Sequence, residues 1–157
     1  MRRILHLLPI LALLAGGCAS TNLNLNAPDT AEQKQIHERL TEIFDAATKK
    51  DFPRLDSYHF YGPKFTRFGT ESPDREDALA AREAEHAGLN AVSGMKVNLQ
   101  NLKIDVFQNV GVATFILQYS FVVGLETVER EAKGTLVLVN DAGSWKIVHE
   151  HFSARHP

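Results

Sequence analysis

GTLVLVNDAGSWKIVHEHFS, Gly134 to Ser153, is the stretch that decides the fold. Two runs of alternating apolar residues flank Asn140-Asp141-Ala142-Gly143, a quartet of turn-forming residues, so the segment predicts a β-hairpin. Its arms are Val128 to Val139 and Ser144 to Ser153. Upstream, Gly124 links the first arm to a further strand, Val110 to Val123, and Gln108-Asn109 turns into that strand from another one. In this earliest run Val97 and Leu99 share one parity, while Leu102, Ile104 and Val106 share the other. A bulge near Asn101 would keep both sets on the buried side. Long, sequentially neighbouring strands of this kind pair antiparallel.

Before Gly94 the apolar period is near four rather than two. Asp29-Thr30-Ala31-Glu32-Gln33 offers overlapping helix caps, and Ile36, Leu40, Ile43, Phe44 and Ala47 follow on one helical face. Asp51 caps a second, short helix with Pro53 in its first turn and Leu55 and Tyr58 on its apolar side. Lys64 to Gly69 suits a short edge strand. Ser72-Pro73-Asp74 reads as the start of an Ala-rich helix from about Pro73 to His86, closed by Gly88. Helices first and a meander last predict an α+β domain, with helices packed on one face of a strongly bent antiparallel sheet. Residues 29–157 form that single domain.

This order, closing on Trp145 after a short turn, then Ile147, Val148, His149, His151 and Ser153, resembles the SnoaL-like branch of the nuclear transport factor 2-like superfamily. That superfamily includes relatives of ketosteroid isomerase and the association domain of a calmodulin-dependent kinase. The resemblance implies a cone-like fold enclosing a cavity. It leaves the activity open, because the same fold hosts isomerases, cyclases, dehydratases and proteins with no activity.

The N-terminus carries an address. Arg2 and Arg3 precede an apolar run from Ile4 to Leu14, too short to span a membrane and suited to an export signal. Leu14-Ala15-Gly16-Gly17-Cys18 resembles the lipobox of bacterial lipoproteins, with Ala15 where Leu is usual. The expectation is therefore a signal peptide over 1–17, a lipidated Cys18 and a polar tether over 18–28. Cys18 is the sole cysteine, so no disulfide can form within the chain. By the sorting rule for such proteins, Ala19 after the cysteine implies the outer membrane of a bacterial cell envelope, facing the periplasm. Without Arg2 and Arg3 the 17 basic residues become 15, against 19 acidic, which leaves no basic stripe for nucleic acid. Membrane attachment would rest on the lipid alone.

For the site, strict alternation places Trp145, Ile147, His149 and His151 on one inward face, with Lys146 and Glu150 pointing away and Val148 and Phe152 outside. His149 and His151 are then candidates for acid–base chemistry, together with Tyr58. A ligand-binding set would comprise Trp145, His149, His151, Tyr58, His59 and Tyr61, the last three standing just before the edge strand. A hydrogen-bonding role in a polar-lined pocket weighs more than catalysis. Zinc needs three or four ligands, and no carboxylate or cysteine lies at motif spacing to complete a set with the two histidines, so no metal and no cofactor are expected. Asp105 alternates against the apolar set and reads as solvated. Tyr119 reads as core or interface, and Lys64 and Arg67 as guards of an edge strand. The trio of Tyr, acid and base that ketosteroid isomerases use cannot be placed. The expected function is binding of a small, mostly apolar ligand, or no catalysis at all, with a small-molecule isomerase or cyclase as the alternative. Apolar residues on both sheet faces, Val112 and Ile116 on one and Phe115, Leu117 and Phe121 on the other, imply a homodimer.

Overall fold

The first helix, α1, runs Thr30–Lys49 and buries Ile36, Leu40, Ile43 and Ala47, the face that its spacing predicts. The computed structural model describes residues 30–155, so the expected signal peptide and tether lie outside the described residues, as does the side chain of Asp29. Lys49 stands in the last turn, where the negative end of the helix dipole favours a cation. Helix α2 covers Phe52–Ser57; the Asp51 side chain accepts from the Arg54 N–H at 3.3 Å, and Pro53 opens the first turn. Strand β1 is Thr66–Phe68.

Helix α3 is Ala78–Ala91, not Pro73 to His86. The reason is local: Arg67 and Glu76 exchange both backbone hydrogen bonds, 3.0 and 2.9 Å, which holds residue 76 extended against β1 and delays the helix. Asp77 then caps it, its carboxylate accepting from the N–H groups of Leu79 and Ala80 at 3.0 Å each. Ser72 only closes a turn on the Asp74 carbonyl, and Gly88 lies inside the helix.

Four long strands follow: β2 Ser93–Phe107, β3 Val110–Val123, β4 Glu126–Asp141 and β5 Ser144–Ala154. The sheet order is β1-β5-β4-β3-β2. The long strands pair antiparallel, but β1 lies parallel to β5, so the sheet is mixed rather than wholly antiparallel, and it does not close into a barrel. The expected bulge appears as a register shift between Gln100 and Lys103, with Asn101 at φ 52°. Gly143 completes the final hairpin at φ 90°, its N–H held by the Asn140 side chain at 2.8 Å.

The helices cover one face of this sheet. Phe115, Leu136, Leu138, Trp145 and Ile147 meet α1 there, and Trp145 donates to Gln35 of α1 at 3.1 Å. Two glycines make room on this face, Gly111 for α1 and Gly134 for the ring of Phe115 on the neighbouring strand. A Cβ at Gly111 would stand 2.3 Å from Ile36 Cδ1, and one at Gly134 would stand 2.3 Å from the Phe115 ring. The opposite face carries Val112, Ile116, Val137 and Val139, each only partly buried, and no helix among the described residues. Among the described residues no helix is long and apolar enough to cross a membrane.

Candidate functional site

Strand β5 does not alternate strictly. Ile147 pairs with Leu138 and His149 with Val137, so Val148 has no partner and forms a bulge. One extra residue reverses the parity beyond it. Trp145 and Ile147 face the core as expected, but from there Glu150 and Phe152 turn inward, and His149 and His151 turn out. The inward placement of the two histidines and the outward placement of Glu150 and Phe152 are thus corrected. His149 shares a 2.8 Å hydrogen bond between its Nδ1 and Thr66 Oγ1, and His151 is exposed. Both border a shallow outer recess of about 380 Å³ beside Phe68 and Ser72. Phe152 instead packs on Phe115, with ring centroids 6.1 Å apart.

Tyr58, the other acid–base candidate, is elsewhere. Its ring is buried beneath the Arg39 guanidinium, 4.7 Å from the centroid, and its hydroxyl accepts from Arg54 Nε at 2.8 Å. The catalytic candidates His149, His151 and Tyr58 therefore do not converge.

His59 and Tyr61 are brought to a polar cluster. The segment after α2 runs beside β5: Phe60 donates to the Ile147 carbonyl at 2.8 Å and Ile147 donates to the Tyr58 carbonyl at 2.9 Å. This bridge turns His59 inward, 4 % exposed, under Glu150, which is 5 % exposed. His59 Nε2 lies 2.9 Å from Glu150 Oε1, and its Nδ1 lies 3.0 Å from the Leu55 carbonyl. The Tyr61 ring stacks on the imidazole at 4.8 Å and 4°, and its hydroxyl donates to Glu85 Oε2 at 3.3 Å. Glu85 projects from α3 and is half-buried.

The electrostatics follow from two carboxylates facing one imidazole. Burial disfavours the charged ring, but the charge and hydrogen bond of Glu150 outweigh it and raise His59 to about 9. Burial likewise resists ionisation of Glu150, and His59 overcomes that to hold it below the usual carboxylate range. Glu85 has no such partner of its own. Burial, then the Glu150 charge, push it up to about 7. Burial and the nearby Glu85 raise the Tyr61 phenol. Arg67 reaches toward this region from β1, its Nε 3.2 Å from Glu76 Oε2 and its Nη1 donating to the Ala81 carbonyl at 2.8 Å. Arg67 is therefore tied inward rather than guarding an edge, while Lys64 is exposed. His59, Glu85 and Glu150 form the group whose donor atoms, all within 4.8 Å of one another, could hold a metal ion.

A larger recess is elsewhere again. An open trough of about 1170 Å³ lies over β2, β3 and β4, with Val97, Tyr119 and Phe121 as its apolar part and Glu71, Arg130 and Arg155 among its charged walls. Burial and the Glu71 carboxylate raise the Tyr119 phenol, with Arg130 opposing. Trp145 lines neither recess; it is sealed in the core.

Glu85 and Glu150 escape a reading of the sequence. Glu85 sits among other polar residues of a helix with a weak apolar stripe, and nothing singles it out. Glu150 could have been found from a break of parity: Trp145 and Ile147 are odd, Phe152 is even, and all three are large and apolar. That break requires an extra residue between them.

Comparison with known proteins agrees with the architecture. A family model for the SnoaL-like domain matches residues 36–157. Among solved structures, a candidate dehydratase of the nuclear transport factor 2-like family from Streptomyces avermitilis aligns with a TM-score of 0.74 at 14 % identity, covering 81 % of this chain and 98 % of its own. A nuclear transport factor 2-like superfamily protein from Salmonella enterica gives 0.74 at 18 %, over 83 % and 95 %. The CaMKII hub of S. rosetta gives 0.68 at 23 %, over 78 % and 96 %. None of the curated proteins matches the sequence. At these identities the neighbours share the fold alone, whereas the family model spans most of the sequence: the chain belongs to the SnoaL-like domain family.

Proposed function

We propose that this SnoaL-like domain is an exported binding module, anchored through a lipid on Cys18 to the outer membrane of a bacterial envelope and facing the periplasm. Its ligand is a small, mostly apolar molecule, and its site is the open trough over β2, β3 and β4. The observation that carries this reading is the contrast between that trough and the interior. Space behind the helices is filled by Trp145, Phe65, Leu136 and Leu138, and His59 closes on Glu150 at 2.9 Å. The trough offers about 1170 Å³ with Val97, Tyr119 and Phe121 exposed to an occupant, and mixed charge at its walls to orient a polar end. The chain works as a homodimer through the outer sheet face, where Val112, Ile116, Val137 and Val139 lie uncovered by any helix of the described residues. Hub and association domains with this fold support assembly through the domain.

An isomerase or cyclase is the second reading. It is favoured by the gathering of His59, Tyr61, Glu85 and Glu150, which supplies acid and base groups within one cluster. A titration with anilinonaphthalene sulfonate, an aromatic anion that fluoresces in apolar sites, separates the two. Saturable binding at one dye per chain, weakened about tenfold or more by Tyr119→Ala, supports the trough. Binding that is absent, or insensitive to Tyr119→Ala and Phe121→Ala alike, removes it.

A further inference from the structure

We propose that His59, Glu85 and Glu150 form a binding site for a divalent first-row transition cation, with Zn²⁺ the best-suited ion. The three residues come from three separate elements: the segment after α2, the middle of α3 and the inward half of β5 beyond the bulge. Their donor atoms lie within 4.8 Å of one another. Ligands about 2.0–2.1 Å from a tetrahedral ion stand about 3.4 Å apart. The His59–Glu150 separation of 2.9 Å is thus a few tenths of an ångström short, and the cluster needs only side-chain adjustment to admit an ion.

Two further observations point to a cation rather than to a simple ion pair. The imidazole is fixed from behind: Nδ1 lies 3.0 Å from the Leu55 carbonyl, an oxygen outside the cluster, and Tyr61 stacks flat on the ring. With the proton on Nδ1 donated to that carbonyl, the Nε2 lone pair points into the cluster, the arrangement in which a backbone acceptor orients a metal-ligating histidine. The charge count also favours it. Glu150 is 5 % exposed and Glu85 half-buried, while Arg67, the nearest permanent cation, already faces Glu76 and the Ala81 carbonyl. A divalent ion matches the two carboxylates, and imidazole with two carboxylates suits zinc while remaining usable by manganese or iron. Glu85, the most exposed of the three, gives the ion its route in, and a water would complete the coordination.

The histidines of the outer face provide the internal control. His149 and His151 stand on the other side of β5 and could bind zinc adventitiously, so the test must tell the two places apart. The purified chain, made without a polyhistidine tag and stripped with chelator, is titrated calorimetrically with Zn²⁺ and with Mg²⁺. One Zn²⁺ per chain at roughly micromolar affinity or tighter is expected, with Mg²⁺ far weaker. Glu85→Gln, which leaves the fully buried pair untouched, should cost at least about tenfold in affinity, and His59→Gln the same or more. The double variant His149→Gln/His151→Gln should bind as the parent does. Co²⁺ in place of Zn²⁺ should give visible absorption that Glu85→Gln removes. No binding up to millimolar Zn²⁺ overturns the proposal, as does binding that survives Glu85→Gln or is lost in the outer-face double variant.

Discussion

Glu85→Gln in metal-free buffer should make the protein more stable at pH 8 and leave it unchanged near pH 4.5. In the folded chain Glu85 sits within reach of the Glu150 charge, and burial with that repulsion raises it from 4.5 to about 7. A carboxyl raised on folding is favoured only while protonated, so its cost grows as pH climbs past its ordinary value and is complete above about 7. At about 1.4 kcal/mol per unit, a displacement of that size sets a ceiling near 3 kcal/mol. Glu85 keeps some solvent and some attraction from His59, so a gain of about 1–2 kcal/mol is the expected figure. The glutamine amide preserves an acceptor for the Tyr61 hydroxyl, now 3.3 Å from the carboxylate, and so isolates the charge. Urea unfolding with chelator present, at pH 4.5 and pH 8, measures it through the midpoint at constant slope. A loss of stability at pH 8 would refute the reasoning, because His59 would then be holding both carboxylates at a net profit. An equal gain at both values would refute it too, since the effect would not be one of ionisation.

The wild type in the same buffer should lose stability between about pH 6.5 and 9: His59, raised to about 9, contributes fully below its ordinary value and ceases to as it deprotonates; a flat urea midpoint over that range counts against the ion pair. Gly134→Ala should cost about 2–4 kcal/mol, since the new Cβ meets three Phe115 ring atoms at 2.3–2.9 Å, and Gly111→Ala less, because its nearest obstacle is the swinging end of Ile36; thermal melts of the two variants in the reverse order would contradict the packing described. Cys18→Ser should abolish palmitate labelling and leave the chain unprocessed or released; label on the serine variant, or none on the wild type, ends the lipoprotein reading. Analytical ultracentrifugation should find a dimer that Ile116→Asp converts to monomer, and a wild type that stays monomeric at all concentrations rules out the sheet-face interface.

The fold was legible because its signals are redundant. Ile36, Leu40, Ile43 and Ala47 repeat one message along α1, and four long alternating strands leave little choice of class. Even the bulge at Asn101 showed itself, since two apolar sets of opposite parity meet there with several members each. The start of α3 is misplaced because Ser72-Pro73-Asp74 is a good local cap, while the pairing of Glu76 with Arg67 that overrides it is an isolated bridge between segments that no local pattern joins. The site fared worse for the same kind of reason. His59 and Tyr61 stand in the sequence as neighbours of an edge strand, but their partners, Glu85 and Glu150, are 26 and 91 positions from His59. No spacing rule joins residues so far apart. The second bulge, at Val148, leaves only one large apolar residue beyond it to betray the shift, Phe152.

That bulge makes the lining of the interior a matter of how β5 pairs rather than of which amino acids it contains. Val148 takes up the one position by which the two halves of β5 are out of step. Were Val148 instead to pair with Val137 in an unbroken pleat, His149 and His151 would rotate into the core and Glu150 into solvent. The acidic cluster would be dismantled and replaced by a pair of basic rings, with the composition of the strand unchanged. A chain that lost Val148 would keep the same residues inside, because His149 would follow Ile147 directly, whereas one that kept the residue and paired it would exchange one interior chemistry for another. Chains whose final strands read almost alike can therefore differ completely in what they enclose, and aligning such strands residue by residue would hide the difference.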